Sequence, residues 1–324
     1  MSILSTIKKR LQSQLASANV PIYNMAERQL IIQALAQSQH NRNLERLSGL
    51  SAVEFCAFSQ WGEDGIIEWL VEQLPNIPRS FVEFGVENYR ESNTRLLLQL
   101  RNWRGLVMDG SAAHIADIRS QDISWRYELS AKCAFIDRDN INSLLSDAGF
   151  SGEIGLLSVD IDGNDYWVWQ AIEVAKPVIV VCEYNAVLGD VHALTVPYQA
   201  EFQRTRSHHS NLYFGASLRA MISLGQEKGY TFVGTTSTGC NAFFVRNDHA
   251  AAITTKLENI WAYPSNVREA RSANGTLLFV SGTQRSSIIE QMSLVDPITG
   301  RTTTLAACGD LYSAQWRQSE KVGF

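Results

Sequence analysis

The sequence predicts an α/β protein with a mostly parallel sheet at its centre, over roughly residues 55–250. Three observations carry this. Five short apolar runs recur at intervals of one strand-plus-helix unit: SFVEF (80–84), GLVMD (105–109), CAFID (133–137), GLLSVD (155–160) and VIVVCE (178–183). Helical stretches such as SNTRLLLQLRN (92–102) and DNINSLLSDAG (139–149) lie between them, and strands alternating with helices build parallel sheets. Beyond the fifth run, YTFVG (230–234) and NAFFVR (241–246) flank TTSTGC, the pattern of a closing hairpin.

Residues 1–54 read as a helical arm. Ile3, Ile7, Leu11 and Leu15 recur at four-residue spacing, which marks one apolar face. Asn24 is a candidate cap for a second helix, MAERQLIIQALAQ. Over residues 1–50 six Lys/Arg stand against Glu27 and Glu45. A packing or oligomerisation arm and a membrane-surface contact are both open. SQWGEDGIIEWLVEQL then reads as a loop entering an amphipathic helix.

Residues 186–214 form a long polar-aromatic connection. At that length without periodicity, a connection is usually functional or disordered. SLRAMISLGQEKG (217–229) reads as a helix closed by Gly229. Residues 251–324 read as an accessory β-rich extension, with Asp-Pro-Ile-Thr-Gly as a hairpin turn.

Composition excludes several classes. A net charge of −5 lacks the basic excess of a general nucleic-acid binder. No apolar run reaches the ~20 residues of a membrane span, and Lys8, Lys9 and Arg10 interrupt any signal-peptide core. Five scattered cysteines without a CxxC pair fit free thiols in a reducing cytoplasm.

The functional signal is an arithmetic of acids. Glu83, Asp109, Asp137, Asp160 and Glu183 each fall at or next to the end of an expected strand, spaced 26, 28, 23 and 23 residues apart. Parallel strands end on one edge, where ligands bind at the topological switch point. Five carboxylates should therefore face one crevice, with Asp162 and Asp165 close by. Clustered carboxylates resist ionisation unless a cation, ligand hydroxyls or N–H donors compensate. A strand-end acid can instead cap the following helix, an alternative that weighs most for Asp137.

Gly85 after the first strand permits close backbone approach to a ligand. The G-x-G-x-x-G fingerprint is broken by Glu87, which disfavours a pyrophosphate and suits a cofactor without phosphates. Asp109, followed by Gly110 and Ser111, is placed to accept ribose hydroxyls. Asp137 can reach a base. Asp160 and Asp162 alternate along the fourth strand and should leave it on one side. With Glu183 they form an oxygen-ligand set for Mg²⁺ or Mn²⁺; a purely hydrogen-bonding role is the alternative. His208, in the long connection, is a candidate general base or extra ligand.

The series FVEFGVE (81–87), LVMDGS (106–111), FID (135–137), LLSVDIDG (156–163) and VVCEYN (180–185), with the closing hairpin, resembles the class I S-adenosylmethionine-dependent methyltransferases. More narrowly, SQWGEDGII, EFGVENYRESNTR, SVDIDGNDYWVW and NLYFGASL resemble a methyltransferase-like family of bacterial surface-polysaccharide gene clusters. The resemblance covers residues 57–247. It implies a Rossmann-like methyltransferase sandwich with a mostly parallel seven-stranded sheet and a terminal antiparallel hairpin. It also implies S-adenosylmethionine as cofactor: Glu83 and Gly85 by its methionine part, Asp109 with Gly110 and Ser111 at its ribose, Asp137 near its adenine. Asp160 and Asp162 would hold the catalytic position, with a divalent metal on Asp160, Asp162 and Glu183. The reading is an O-methyltransferase acting on a saccharide or glycoconjugate precursor, in the cytoplasm. Alternatives are metal-dependent chemistry other than methyl transfer, a non-catalytic assembly partner, and, least favoured, a nicotinamide dehydrogenase.

Overall fold

The computed structural model describes residues 25–322. The expected helix over residues 3–15 and the Asn24 cap lie outside that range. The second expected helix is present as α1 (25–42). It docks on the core through buried Ala34 and Ser38, and Glu27 pairs at 2.6 Å with the nearly inaccessible Arg95.

The remaining elements follow in chain order: α2 (Glu63–Gln73), β1 (Ser80–Phe84), α3 (Arg95–Arg101), β2 (Arg104–Asp109), α4 (Ala112–Ser120), α5 (Ile123–Arg126), β3 (Leu129–Cys133), α6 (Ile141–Asp147), β4 (Gly152–Val159), α7 (Asp165–Ala171) and β5 (Ala175–Glu183). Then come α8 (Arg204–Ser207), α9 (Leu218–Glu227), β6 (Tyr230–Thr235), β7 (Asn241–Arg246), α10 (Asn247–Thr254), β8 (Leu294–Val295), β9 (Thr302–Thr303) and α11 (Ala314–Val322).

Seven strands form one sheet in the order β3-β2-β1-β4-β5-β7-β6. The first five are mutually parallel, and β7 runs antiparallel to both β5 and β6. This is the expected mostly parallel, Rossmann-like seven-stranded sheet with its closing antiparallel hairpin. The chain order reverses between β1 and β4, so the crevice expected of such a sheet opens there. The two faces are separately covered. Val82, Phe84, Leu157 and Val180 face α6, α7 and α9; Phe81, Leu156, Ile179 and Phe243 face α2, α3 and α10. A strand buried on both faces must be apolar throughout, and VIVVC within β5 is.

Only β3 departs materially from the expected strands. It occupies Leu129–Cys133 rather than 133–137. It is an edge strand in which every residue is half-buried or exposed and none is buried, so no continuous apolar run marks it. The expected tail hairpin is β8 with β9. Elsewhere the tail is irregular chain with short helices, and its Ile289, Leu305 and Trp316 join the main core. The long 186–214 connection is packed rather than loose. Asn185 Nδ2 donates to Leu212 O and Phe214 O, and Leu188, Leu194 and Val196 of the connection are buried.

Candidate functional site

The switch point is a close contact of two strand ends. Gly85 has φ 71°, and a Cβ there would fall 1.6 Å from the carbonyl oxygen of Asp160. The close approach expected of Gly85 is therefore made first to the chain itself. Two hollows open on either side of this contact. One of about 270 Å³ lies over the ends of β1, β4, β5 and β7. The other, about 330 Å³, lies over β1, β2, β4 and the chain after β3. Gly85, Glu87, Asp160, Asp162 and Arg204 border both.

Asp109 faces the 330 Å³ hollow with Gly110, His114 and Phe135. Its carboxylate accepts from Glu87 N at 2.9 Å and Ser111 N at 2.7 Å, and it contacts His114 Nδ1 at 3.1 Å. It thereby pins the turn that Glu87 interrupts. Glu87 takes a left-handed φ of 46°, which turns its N–H to Asp109 and leaves its side chain exposed. Phe135 is 47% exposed. Asn164 is buried, donates through Nδ2 to Gln199 O at 2.7 Å, and has no partner for Oδ1.

Three of the residues expected at the cofactor lie away from the hollow that Asp109 faces. Glu83 borders the smaller hollow, not the one with Asp109. Its carboxylate is engaged inward by Ser92 Oγ, Asn93 N and the Thr94 N–H and hydroxyl, and burial raises its pKa. Ser111 lines neither hollow and caps α4, accepting from His114 N. Asp137 also lines neither. Because β3 ends at Cys133, Asp137 sits past the rim and accepts from Asp139 N and Asn140 N at the entry to α6.

The acids on the other side regroup. Carboxylate oxygens of Asp160, Asp165 and Glu183 lie within 4.8 Å of one another. Asp162, expected in that set, is turned out. β4 has ended at Val159, and a left-handed φ of 55° at Asp162 breaks the strand alternation. Its side chain is 59% exposed and pairs with Arg204 Nη1 at 2.6 Å. Asp165 takes its place from the start of α7, accepting from Ile161 N and Gly163 N; burial pushes its pKa up to about 6. Asp160 and Glu183 are driven well above the usual carboxylate range by burial and by the neighbouring acids. Glu183 Oε2 is buried without a hydrogen bond.

Arg204 spans this acidic junction. It also pairs with Glu269 of the tail and lies 3.6 Å over the Phe214 ring. His208 does not reach either hollow. It follows the four residues of α8, contacts Ser210 Oγ at 2.7 Å and stacks near His209. Its expected role as a base at the crevice is therefore not supported by its position.

A second wall was invisible to the spacing of strand-end acids. Glu63, fully buried at the start of α2, accepts from Trp61 N at 2.9 Å and from Asn241 Nδ2 at 2.8 Å. Trp61 and Asn241 line the smaller hollow. Trp61 Nε1 and Asn241 Oδ1 are both buried without a partner.

No family model and no curated protein matches this chain. Solved structures of S-adenosylmethionine-dependent methyltransferases are similar in fold. An O-methyltransferase of Bacillus cereus in complex with S-adenosylhomocysteine is 12% identical at a TM-score of 0.37, over 67% of this chain and 89% of that one. An S-adenosylmethionine-dependent methyltransferase of Clostridium acetobutylicum is 10% identical at 0.36, over 57% and 90%. The CurJ carbon methyltransferase is 12% identical at 0.35 over 56% of this chain; the chain spans about half, 52%, of that structure.

Proposed function

We propose that this chain is an S-adenosylmethionine-dependent O-methyltransferase acting on a saccharide or glycoconjugate precursor of the kind found in surface polysaccharides. The observation that carries the reading is the pair of hollows meeting at the Gly85–Asp160 contact. A group-transfer enzyme needs donor and acceptor sites that share a wall, and these share the switch point.

The larger hollow fits the cofactor. Asp109 offers oxygen acceptors to ribose hydroxyls, Phe135 an exposed ring to a base, and the orphaned Asn164 Oδ1 an acceptor for a donor group. Glu87, Asp109, Asp160 and Asp162 border it against the single guanidinium of Arg204, which is itself paired with Asp162 and Glu269. That balance favours a cation over a pyrophosphate. When bound, S-adenosylmethionine supplies a methyl group on a sulfonium. Asp160 and Glu183 border the smaller hollow and are the acids placed to take the acceptor hydroxyl's proton as oxygen gains the methyl group. A carboxylate of raised pKa is the better base for that purpose.

Asp160, Asp165 and Glu183 also fit a hard divalent cation such as Mg²⁺ or Mn²⁺. They are three oxygen donors, and one of their oxygens lacks any partner. The ion would supply Lewis acidity toward the acceptor oxygen. This same trio favours the second reading, a metal-dependent reaction on a sugar or nucleotide-sugar without methyl transfer. The five unpaired cysteines support placing the activity in the cytoplasm.

Isothermal titration tests the main reading. Binding of S-adenosylhomocysteine at micromolar to millimolar concentration is expected. No heat at about 1 mM, with and without Mn²⁺, would overturn it.

A further inference from the structure

The Trp61–Asn241 wall of the smaller hollow is built and left incomplete. Trp61 Nε1 is a donor, Asn241 Oδ1 an acceptor, and neither has a partner. Asn241 is only 6% exposed. Buried polar atoms are normally satisfied, so orphans on two residues that border a cavity point to a missing polar partner there. Both residues are fixed by one carboxylate. Glu63 holds the Trp61 backbone and the Asn241 amide from opposite ends of the chain, which also settles the amide orientation: Nδ2 faces Glu63, so Oδ1 faces away from it.

We infer that this wall is the acceptor subsite and recognises a neutral, hydroxyl-bearing ring, with Trp61 and Asn241 as its recognition residues; the inference rests on the methyltransferase reading above. A hydroxyl both donates and accepts, so one such group matches an N–H donor and a carbonyl acceptor on one wall. An ammonium has nothing to offer Trp61 Nε1. A carboxylate or phosphate has nothing to offer Asn241 Oδ1 and meets Asp160 and Glu183 on the same hollow. The indole adds a flat apolar face of the kind that suits the C–H face of a sugar ring.

Saturation-transfer NMR on the full chain tests this. The probes are the methyl glycosides of glucose, galactose and rhamnose, with glucuronate and glucosamine as charged counterparts. At least one neutral glycoside should bind more tightly than both charged sugars. Trp61→Phe keeps an aromatic face but removes the N–H together with the pyrrole part of the indole; Asn241→Leu removes the acceptor. Each should weaken the glycoside about tenfold, the loss of one hydrogen bond, with S-adenosylhomocysteine affinity unchanged. If Asn241→Leu does not fold, Trp61→Phe decides alone. Tighter binding of a charged sugar than of every neutral one, or glycoside affinity within about twofold of the parent in Trp61→Phe, would overturn the inference. Loss of the cofactor reading shows separately: no S-adenosylhomocysteine binding with glycoside discrimination intact sinks that reading and leaves a sugar-binding wall that is no longer an acceptor subsite for methyl transfer.

Discussion

Gly85→Ala should be among the most damaging single-methyl changes available to this chain. Two costs combine. At φ 71° an L side chain is strained by about 1–2 kcal/mol, offset by about 0.4–1 kcal/mol from a less flexible unfolded chain. The second cost is steric. The new Cβ would lie 1.6 Å from Asp160 O, where real Cβ atoms do not come within 3.0 Å. Because that neighbour is backbone, the ends of β1 and β4 must part by well over an ångström. Forced overpacking of this kind costs about 1–3 kcal/mol or more, giving a total near 3 kcal/mol. Gly152 supplies the internal control: φ is 76°, but nothing lies within 4 Å of its Cβ position. Gly152→Ala should lose about 0.5–1 kcal/mol. Urea unfolding of both variants at constant m-value isolates the steric part. If Gly85→Ala is no less stable than Gly152→Ala, the β1–β4 contact is not what requires glycine, and the switch-point geometry argued above is wrong.

Four further outcomes follow from the structure. Asp165→Asn should weaken Mn²⁺ binding by at least about tenfold, whereas Asp162→Asn should leave it within about twofold, as read by calorimetry. Asp109→Ala should weaken S-adenosylhomocysteine about tenfold or more through a lost charge-assisted hydrogen bond; Asp137→Ala should not, but should cost about 1 kcal/mol of stability as a lost cap. His208→Gln should leave methyl transfer intact. His208 has its pKa held below its usual range by burial and by His209, so the unfolded chain protonates first; stability should fall as pH drops below about 6.5, and the variant should lose that slope in pH-resolved melts. Trp316→Ala, in the tail but buried in the main core, should destabilise the whole domain by about 3–5 kcal/mol in urea unfolding.

Most of the sheet was legible because most of its strands are buried on both faces. SFVEF and NAFFVR are strands over the expected residues. The exception, β3, shows the limit. Its Leu129, Ala131 and Cys133 alternate with Ser130 and Lys132 or sit at an edge, while the apolar run just after it is a loop. Phe135 and Ile136 of that run border the larger hollow, so apolar character there serves the crevice and not the sheet. The same four-residue error displaced Asp137 from the rim. Nothing in the sequence joined Trp61 to Asn241, since they share a wall only because the α2 entry and the β6–β7 turn close over the same strand ends.

The strand-end acids themselves divide in a way that spacing cannot foresee. Glu83 and Asp137 are answered by N–H or O–H groups of the segment that follows them, and Asp165 by N–H groups of the turn that precedes it. Asp109 is answered in part the same way and still borders a hollow. Glu183 keeps a buried oxygen with no partner, and burial and like charge dominate at Asp160. An acid satisfied by its own turn has a structural reason to exist, whereas one left unsatisfied where two hollows meet has none within the fold. Sequence position shows that an acid reaches the rim; the number of local donors that answer it decides how far a ligand is needed to satisfy it. By that measure Asp160 and Glu183 are the residues from which the chemistry of this crevice should be sought, and Glu87, which broke the glycine pattern, donates its N–H to hold Asp109 in place.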